Sequence, residues 1–180
     1  DKHLLVMRGS SENVHAMAGT DLPGDADEWI KAEGAKGCRV IAIAWKEVDT
    51  SITTLSDEHE KGVQVVGYVS FADPLKESTR AAVLEARKLG VQVKIITGDA
   101  REVGGWVGYE AGIIADKNDV ITGDELDKMS PEDKLFAVNR YHVFARTMPL
   151  QKDEIILLLM KSHTVGFLGE GFNDAPALKA

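Results

Sequence analysis

Residues 164–179 limit what this chain can fold into more than any other stretch. An apolar run ends at Gly169, which is typical of a buried parallel strand, and Gly171 then permits a tight turn. Asn173 and Asp174 follow at the start of an expected helix. A strand that ends in a glycine turn and places carboxylates beside a helix N-terminus is suited to magnesium and phosphate.

A second strand end earlier in the chain carries similar chemistry. Residues 91–96 form an apolar run with two polar interruptions, and Thr97, Gly98 and Asp99 follow it directly. Ligands of parallel sheets gather at the carboxyl ends of the strands, so the two strand ends predict one shared site. Taken alone, this tripeptide fits an ordinary turn better, with Asp99 as the N-cap of the next helix.

The alternation of strands and helices after residue 61 predicts an α/β domain whose parallel sheet is flanked by helices. The expected strands are 63–71, 91–97, 142–145 and 164–168, and the expected helices are 75–89, 101–111 and 149–161. Residues 1–60 instead predict a smaller α+β part, with strands 2–7 and 39–46 and helices 11–17 and 25–33. We therefore expect two domains, at residues 1–60 and 61–180.

Composition excludes several classes of protein. A formal charge of −8 argues against a nucleic-acid partner, because phosphate contacts need clustered lysine and arginine. The longest apolar stretches are too short to cross a bilayer. Cys38 is the single cysteine, so neither a disulfide nor a thiolate metal site is expected, and no two histidines stand at zinc-ligand spacing.

An ordered series of motifs resembles the phosphorylation domain of P-type cation-transporting ATPases, which is of the haloacid-dehalogenase type. The matching blocks are residues 71–76, 97–99, 144–152 and 169–176. The run of residues 164–169 and the Pro-Leu-Gln-Lys form of residues 149–152 look most similar to the magnesium-transporting branch. The resemblance implies a HAD-like, Rossmann-type parallel sheet, with part of an α+β nucleotide-binding domain at the N-terminus.

The resemblance also implies a role for each residue of the phosphoryl site. Thr97 would hydrogen-bond the transferring phosphoryl group, Gly98 would let the backbone approach it, and Asp99 would fix the site. Lys152 would neutralise phosphoryl charge, although a solvated helix lysine is the plain alternative. Asp73, in the first block, would anchor a hinge between the domains.

The last block implies a magnesium site. By the resemblance, Glu170 and Asp174 are the metal-binding carboxylates, and Asn173 and Asp174 support the phosphate. The family has Asp where this chain has Glu170, which is one methylene longer. Because Mg²⁺ tolerates little displacement of its ligands, we expect reduced or altered turnover.

Residues 1–60 resemble the end of the family's nucleotide-binding domain. Arg8 and Gly9 match a block that lines the adenine pocket, and Arg39 matches an arginine that reaches the ATP phosphates. Arg8 replaces a family lysine, which keeps the charge but changes its hydrogen-bonding geometry. A further Thr-Gly-Asp sequence at residues 122–124 follows only a short broken strand, and we interpret it as a surface turn and helix cap.

The resemblance implies an ATP-driven cation pump that forms an aspartyl-phosphate intermediate and uses Mg²⁺. The family's phosphorylated Asp-Lys-Thr-Gly-Thr block does not occur in these 180 residues. We therefore expect the chain to be an excerpt of a longer membrane protein, lying on the cytoplasmic face, with the remaining domains and the transported cation as partners. Two alternatives stay open: a soluble phosphatase of the same superfamily, and a catalytically inactive nucleotide-binding or regulatory module.

Overall fold

The computed structural model describes residues 2–19 and 24–169. Its contacts divide the chain into two compact units, Asp1–Asp73 and Pro74–Ala180, which we call the N-terminal and C-terminal units. The division falls after residue 73, whereas the sequence predicted a boundary after residue 60. The assignment of the two parts to nucleotide binding and phosphorylation stays a prediction.

The N-terminal unit contains a three-stranded antiparallel sheet in the order β1-β2-β3. Its elements are β1 (His3–Ser10), α1 (Ser11–Met17), α2 (Ala26–Gly34), β2 (Cys38–Val48), α3 (Asp57–Glu60) and β3 (Gln64–Ala72). One face of the sheet packs on α1 through Val14, Ala42, Ala44 and Val63, all of which are buried. Small alanines on β2 allow the helix to lie close to the sheet.

The predicted place of β3 was wrong. Residues 63–71 were expected in the parallel sheet, but β3 pairs antiparallel to β2, from Cys38 opposite Ala72 to Trp45 opposite Gln64. Buried parallel strands are nearly continuous in hydrophobicity, whereas more and less exposed side chains largely alternate along β3. That pattern is typical of an antiparallel strand with one face toward solvent.

The C-terminal unit confirms the predicted α/β class. Its elements are α4 (Thr79–Lys88), β4 (Ile95–Ile96), α5 (Arg101–Glu110), β5 (Ile121–Thr122), α6 (Gly123–Asp127), α7 (Pro131–Arg140), β6 (Val143–Ala145) and α8 (Pro149–Met160). The strands are parallel in the order β4-β6-β5. Val143 and Ala145 pack in one cluster, which includes residues of α4 and the end of α5, and Phe144 packs in another with residues of α7 and α8. Helices therefore cover both faces of the sheet.

Two predicted strands differ from the structure. Only Ile95–Ile96 of the expected strand 91–97 is in a ladder, and residues 164–168 form no strand, with Leu168 99% exposed. Among the described residues, β4 pairs with β6 on one side and has no strand on its other side. A strand is stabilised by the backbone hydrogen bonds of its neighbours, so an apolar run without a neighbour does not form one.

Candidate functional site

The predicted phosphoryl-site residues are partly within the described structure. Thr97, Gly98 and Asp99 follow β4, and Lys152 lies in the first turns of α8. Glu170, Asn173 and Asp174 lie outside the described residues. The described site residues therefore lie at the edge of the sheet formed by the carboxyl ends of β4 and β6.

The turn after β4 orients a hydroxyl against a carboxylate. The Thr97 hydroxyl donates to Oδ2 of Asp99 at 3.1 Å, and the Asp99 amide donates to the same hydroxyl oxygen at 3.1 Å. Asp99 is not the N-cap of α5, because that position is held by Ala100, which makes no side-chain capping bond. Asp99 therefore lies one residue before the N-cap, which was the position predicted for it.

Three hydrogen bonds join this turn to the two residues that follow β6, and we call this set of bonds the clasp. The Thr147 amide donates to the Thr97 carbonyl at 3.0 Å, and the Thr147 hydroxyl donates to the same oxygen at 2.9 Å. The Arg146 amide donates to the Asp99 carbonyl at 2.9 Å. Thr147 is 5% exposed, so the clasp is shielded from water. These bonds hold the two strand ends in one arrangement.

Arg146 has an unusual backbone at this point. Its φ is 51°, the one positive φ of a non-glycine residue in the described ranges. Such a conformation costs about 1–3 kcal/mol and persists where neighbouring contacts enforce it. Here the enforcing contact is the bond from its amide to Asp99. Backbone strain of this kind is concentrated at functional sites, which marks this edge of the sheet.

The clasp leads directly into the helix that carries Lys152. Met148 is the N-cap of α8 and Pro149 is its first residue, so only one residue separates Thr147 from the helix. The Lys152 amide donates to the Met148 carbonyl at 3.1 Å, which is the first turn of the helix. Lys152 is half-buried. The structure thus brings the predicted lysine and the predicted threonine to one continuous hydrogen-bonded segment.

Sequence reasoning missed the residues that build this segment. Arg146, Thr147 and Gln151 all lie in the block 144–152, from which only Lys152 was selected. Thr147 and Gln151 are buried polar residues. The motif at residues 144–152 was the sequence signal that could have found them. The burial and the hydrogen-bond partners of Thr147 and Gln151 depend on the fold and are not visible in the sequence.

The Thr-Gly-Asp sequence at residues 122–124 forms a helix cap, as predicted. Thr122 is the N-cap of α6, its hydroxyl accepts from the Glu125 amide, and the Glu125 carboxylate accepts from the Thr122 amide at 2.8 Å. Burial acts to raise the pKa of Glu125, but the hydrogen bonds that its carboxylate accepts from the Thr122 amide and hydroxyl, together with the charge of Arg101, lower it. The turn is less superficial than expected, since Gly123 is buried.

The predicted nucleotide contacts lie in the N-terminal unit. Arg8 is opposite Ile43 in the β1–β2 ladder, and Arg39 is opposite Phe71 in the β2–β3 ladder. Both arginines are exposed and lie on the sheet face turned away from α1. Gly9 faces α1, with a hypothetical Cβ 3.4 Å from Val14.

Asp73, the predicted hinge residue, lies at the boundary between the two units. Asp73 is exposed, follows β3 and is the last residue of the N-terminal unit. No group of three His, Cys, Asp or Glu side chains that could hold a metal occurs among residues 2–19 and 24–169. Within the same ranges, no helix has the length and apolar character needed to cross a membrane.

Comparison with known proteins identifies the class to which this fold and site belong. A family model described as a haloacid dehalogenase-like hydrolase matches residues 9–180. The chain belongs to this family of hydrolases.

The curated relatives are P-type ATPases. The chain is 44% identical over 148 residues to a magnesium-transporting ATPase, P-type 1, of Salmonella typhimurium, covering 81% of this chain and 16% of that protein. It is 34% identical to a plasma membrane-type calcium-transporting ATPase of Oryza sativa, covering 85% and 16%. It is 31% identical to a calcium-transporting ATPase of Bacillus cereus, covering 84% and 17%.

These matches confirm the resemblance seen in the sequence, including its likeness to magnesium-transporting ATPases. The chain spans about a sixth of the length of the curated relatives it matches.

Proposed function

We propose that this chain is a catalytic segment of an ATP-driven cation pump that works through an aspartyl-phosphate intermediate at the cytoplasmic face of a membrane. The observation that carries the proposal is the clasped edge of the sheet, where the Thr97 turn is bonded to the residues that enter the lysine-bearing helix. The P-type ATPase relatives support it, because two of them match 81% and 85% of this chain at 44% and 34% identity.

The described residues would act on the transferring phosphoryl group by position and charge. The Thr97 hydroxyl donates its one proton to Asp99 in this structure, and it would turn that proton to a phosphoryl oxygen when the substrate is bound, while the Asp99 amide still holds the hydroxyl oxygen. The Lys152 ammonium would neutralise the negative charge that spreads over the phosphoryl oxygens in the transition state. The hydrogen bonds between residues 97–99 and 146–147 set the backbone of this edge before a substrate binds, which limits the reorganisation that the reaction needs.

Mg²⁺ is the proposed cofactor and ATP the proposed substrate. Glu170 and Asp174 supply carboxylate oxygens, the hard donors that Mg²⁺ prefers, and Asn173 supplies an amide beside them. When bound, the ion would neutralise phosphate charge. Among the described residues, Asp99 is the carboxylate at the clasped strand ends.

The exposed face of the N-terminal sheet suits a nucleotide. Arg8 and Arg39 share this face with apolar side chains, among them Val69 and Phe71, which are 37% and 50% exposed. Apolar surface can pack against an adenine ring, and guanidinium groups bind phosphate with paired hydrogen bonds. We propose this face for ATP; Gly9 follows Arg8 in β1 and faces α1, so it would contact a nucleotide on this face through its backbone alone.

We propose that the phosphorylated aspartate belongs to a part of the parent protein outside this sequence. A cavity of about 900 Å³ lies between residues 90–96 and residues 162–168, beside the edge of β4 that has no described strand partner. This space supports the proposal, because it would admit a further strand of the parallel sheet. The membrane helices of the parent protein and the transported cation are proposed partners because the curated relatives are magnesium- and calcium-transporting ATPases.

Phosphorylation of the full-length protein tests the proposal. Incubation with γ-labelled ATP and Mg²⁺ should give an acid-stable label that hydroxylamine removes, as expected for an aspartyl-phosphate. Lys152→Ala should lower the labelling rate about 10²–10³-fold, as does the loss of one transition-state donor in other enzymes. Lys161→Ala is the matched control, since Lys161 is an exposed lysine at the end of the same helix.

The other outcomes point to the alternatives. Recovery of the native protein in the soluble fraction, with phosphatase activity and no labelling by ATP, would favour a soluble phosphatase. ATP binding without any label would favour an inactive module. In that case Glu170→Asp, which restores the family's residue, should restore labelling if the longer carboxylate is the cause.

A further inference from the structure

Gln151 is a buried glutamine whose side chain joins two elements beside Lys152. It is 6% exposed. Its Oε1 accepts from the Met148 amide at 2.7 Å, and its Nε2 donates to Oδ2 of Asp127 at 2.7 Å. Both ends of the amide are therefore used, one on the N-cap of α8 and one on the last residue of α6.

The fold makes room for this side chain at Gly123. A Cβ at Gly123 would overlap Oε1 of Gln151 and would lie 2.8 Å from the Arg146 carbonyl oxygen. The start of α6 therefore approaches both the glutamine and the strained residue of the clasp. No larger residue fits at that position without moving one of them.

Asp127 is itself held by a charge network on the neighbouring helices. Lys134 of α7 lies 3.8 Å from Oδ1 of Asp127 and 2.8 Å from Oε1 of Glu154. The Lys134 side chain is 18% exposed, and the bond to Glu154 raises its pKa, so it carries its charge. α8 is thus tied to α6 through Gln151 and to α7 through Glu154.

We propose that Gln151 is a positioning residue for Lys152. It fixes the amide of Met148, and Met148 directly follows Thr147, whose amide and hydroxyl both bind the Thr97 carbonyl. A single run of residues 147–151 thereby sets the place of Lys152 relative to the Thr97 turn. The inference rests on the proposed function, in which these two residues meet the same phosphoryl group.

The proposal predicts a loss of rate rather than of substrate affinity. Releasing the Met148 amide and the Asp127 contact would let the first turn of α8 shift. A displacement of about 1 Å at a reacting centre costs roughly 10²-fold in rate. ATP would bind as before, because the proposed nucleotide contacts are in the N-terminal unit.

A single and a double substitution in the full-length protein test whether Gln151 positions Lys152. Gln151→Glu places a carboxylate against that of Asp127, and their repulsion should move the side chain away from the Met148 amide. The maximal labelling rate should then fall about 10–100-fold, with an unchanged half-saturating ATP concentration. Adding Asp127→Asn returns a donor opposite the new carboxylate, and the rate should recover to within about threefold of wild type. Asn118→Asp is the matched control, because Asn118 is an exposed amide of the same unit that also donates to a carboxylate, that of Asp116, and its replacement should have no effect on the rate.

Hydrogen exchange of residues 146–152 gives a readout that does not depend on activity. The single variant should lose protection at the Met148 amide, and the double variant should regain it. A wild-type rate or unaltered protection in Gln151→Glu, or a loss that Asp127→Asn does not rescue, would overturn the proposal. A wild-type protein that takes no label contradicts the proposed function instead, and exchange then decides whether Gln151 fixes the turn.

Discussion

His142, just before β6, is surrounded by positive charge at the amino end of the strand. Burial lowers its pKa from the ordinary 6.5, the charge of Lys94 lowers it further, and Arg140 and Arg87 add smaller effects in the same direction. Asp119 opposes them. Lys94 donates to the carbonyls of the chain just before His142, so the two groups are held together. The neutral imidazole is therefore the form that the folded state favours.

This environment predicts a loss of stability in mild acid. The folded-state pKa lies below 6.5, so as the pH falls through 6.5 the unfolded chain binds a proton before the folded chain does. The free energy of unfolding should therefore decrease below that pH. Urea unfolding at pH 7 and pH 5 should show a larger decrease in wild type than in His142→Gln, since other titrating groups contribute to both. Equal decreases would contradict the prediction.

At the scale of single residues, sequence patterns located the site but not its supports. Thr97, Asp99 and Lys152 lie in motifs whose hydroxyl, carboxylate and ammonium groups indicate phosphoryl chemistry. Gln151 next to a helix lysine looks like a surface residue, and its burial depends on an approach by α6 that no local pattern encodes. The positive φ of Arg146 likewise follows from its contact with another strand end.

At the scale of elements, helix α5 lies close to its neighbours because it has glycine at contact positions, among them Gly104 and Gly105. A Cβ at Gly105 would overlap the Lys117 carbonyl oxygen and lie 3.3 Å from Val120. One residue earlier, a Cβ at Gly104 would find its nearest neighbour, Val143, at the ordinary contact distance of 3.4 Å. The same substitution at adjacent positions thus separates steric overlap from helix propensity.

We predict opposite effects of alanine at these two positions. Gly105→Ala should destabilise the chain by about 1–3 kcal/mol, because the backbone of Lys117 cannot move aside without disturbing its loop. Gly104→Ala should be neutral or stabilise by up to about 1 kcal/mol, because alanine is the better helix former. Urea unfolding of both variants measures the difference. Equal effects would show that the loop yields to the extra methyl group.

Helices were predicted better than strands for a physical reason. An amphipathic helix such as α4 satisfies its own backbone hydrogen bonds, so its pattern is visible in one segment of sequence. A strand needs a partner that lies elsewhere in the chain. Hence β3 was placed in the wrong sheet, and residues 164–168 were assigned a strand that the structure does not form.

At the scale of the whole molecule, each unit has a hydrophobic core of its own. The N-terminal unit buries Val14 at 1% exposure against the alanines of β2. The C-terminal unit buries Ile155 at 2% exposure against Phe144 on one face of its sheet. A unit with its own core can unfold as its own cooperative unit, so the stability of this chain is better described by two free energies than by one.

A substitution that shortens a core side chain should therefore lower mainly the free energy of unfolding of its own unit. Ile155→Ala should lower the free energy of unfolding by about 2–5 kcal/mol, and Val14→Ala should lower it by about 1–3 kcal/mol. Native-state hydrogen exchange, read peptide by peptide, separates the two units by their slowest amides. Ile155→Ala should accelerate those of Pro74–Ala180 and Val14→Ala those of Asp1–Asp73. If either variant accelerated the slowest amides of both units equally, the two cores would form one cooperative unit.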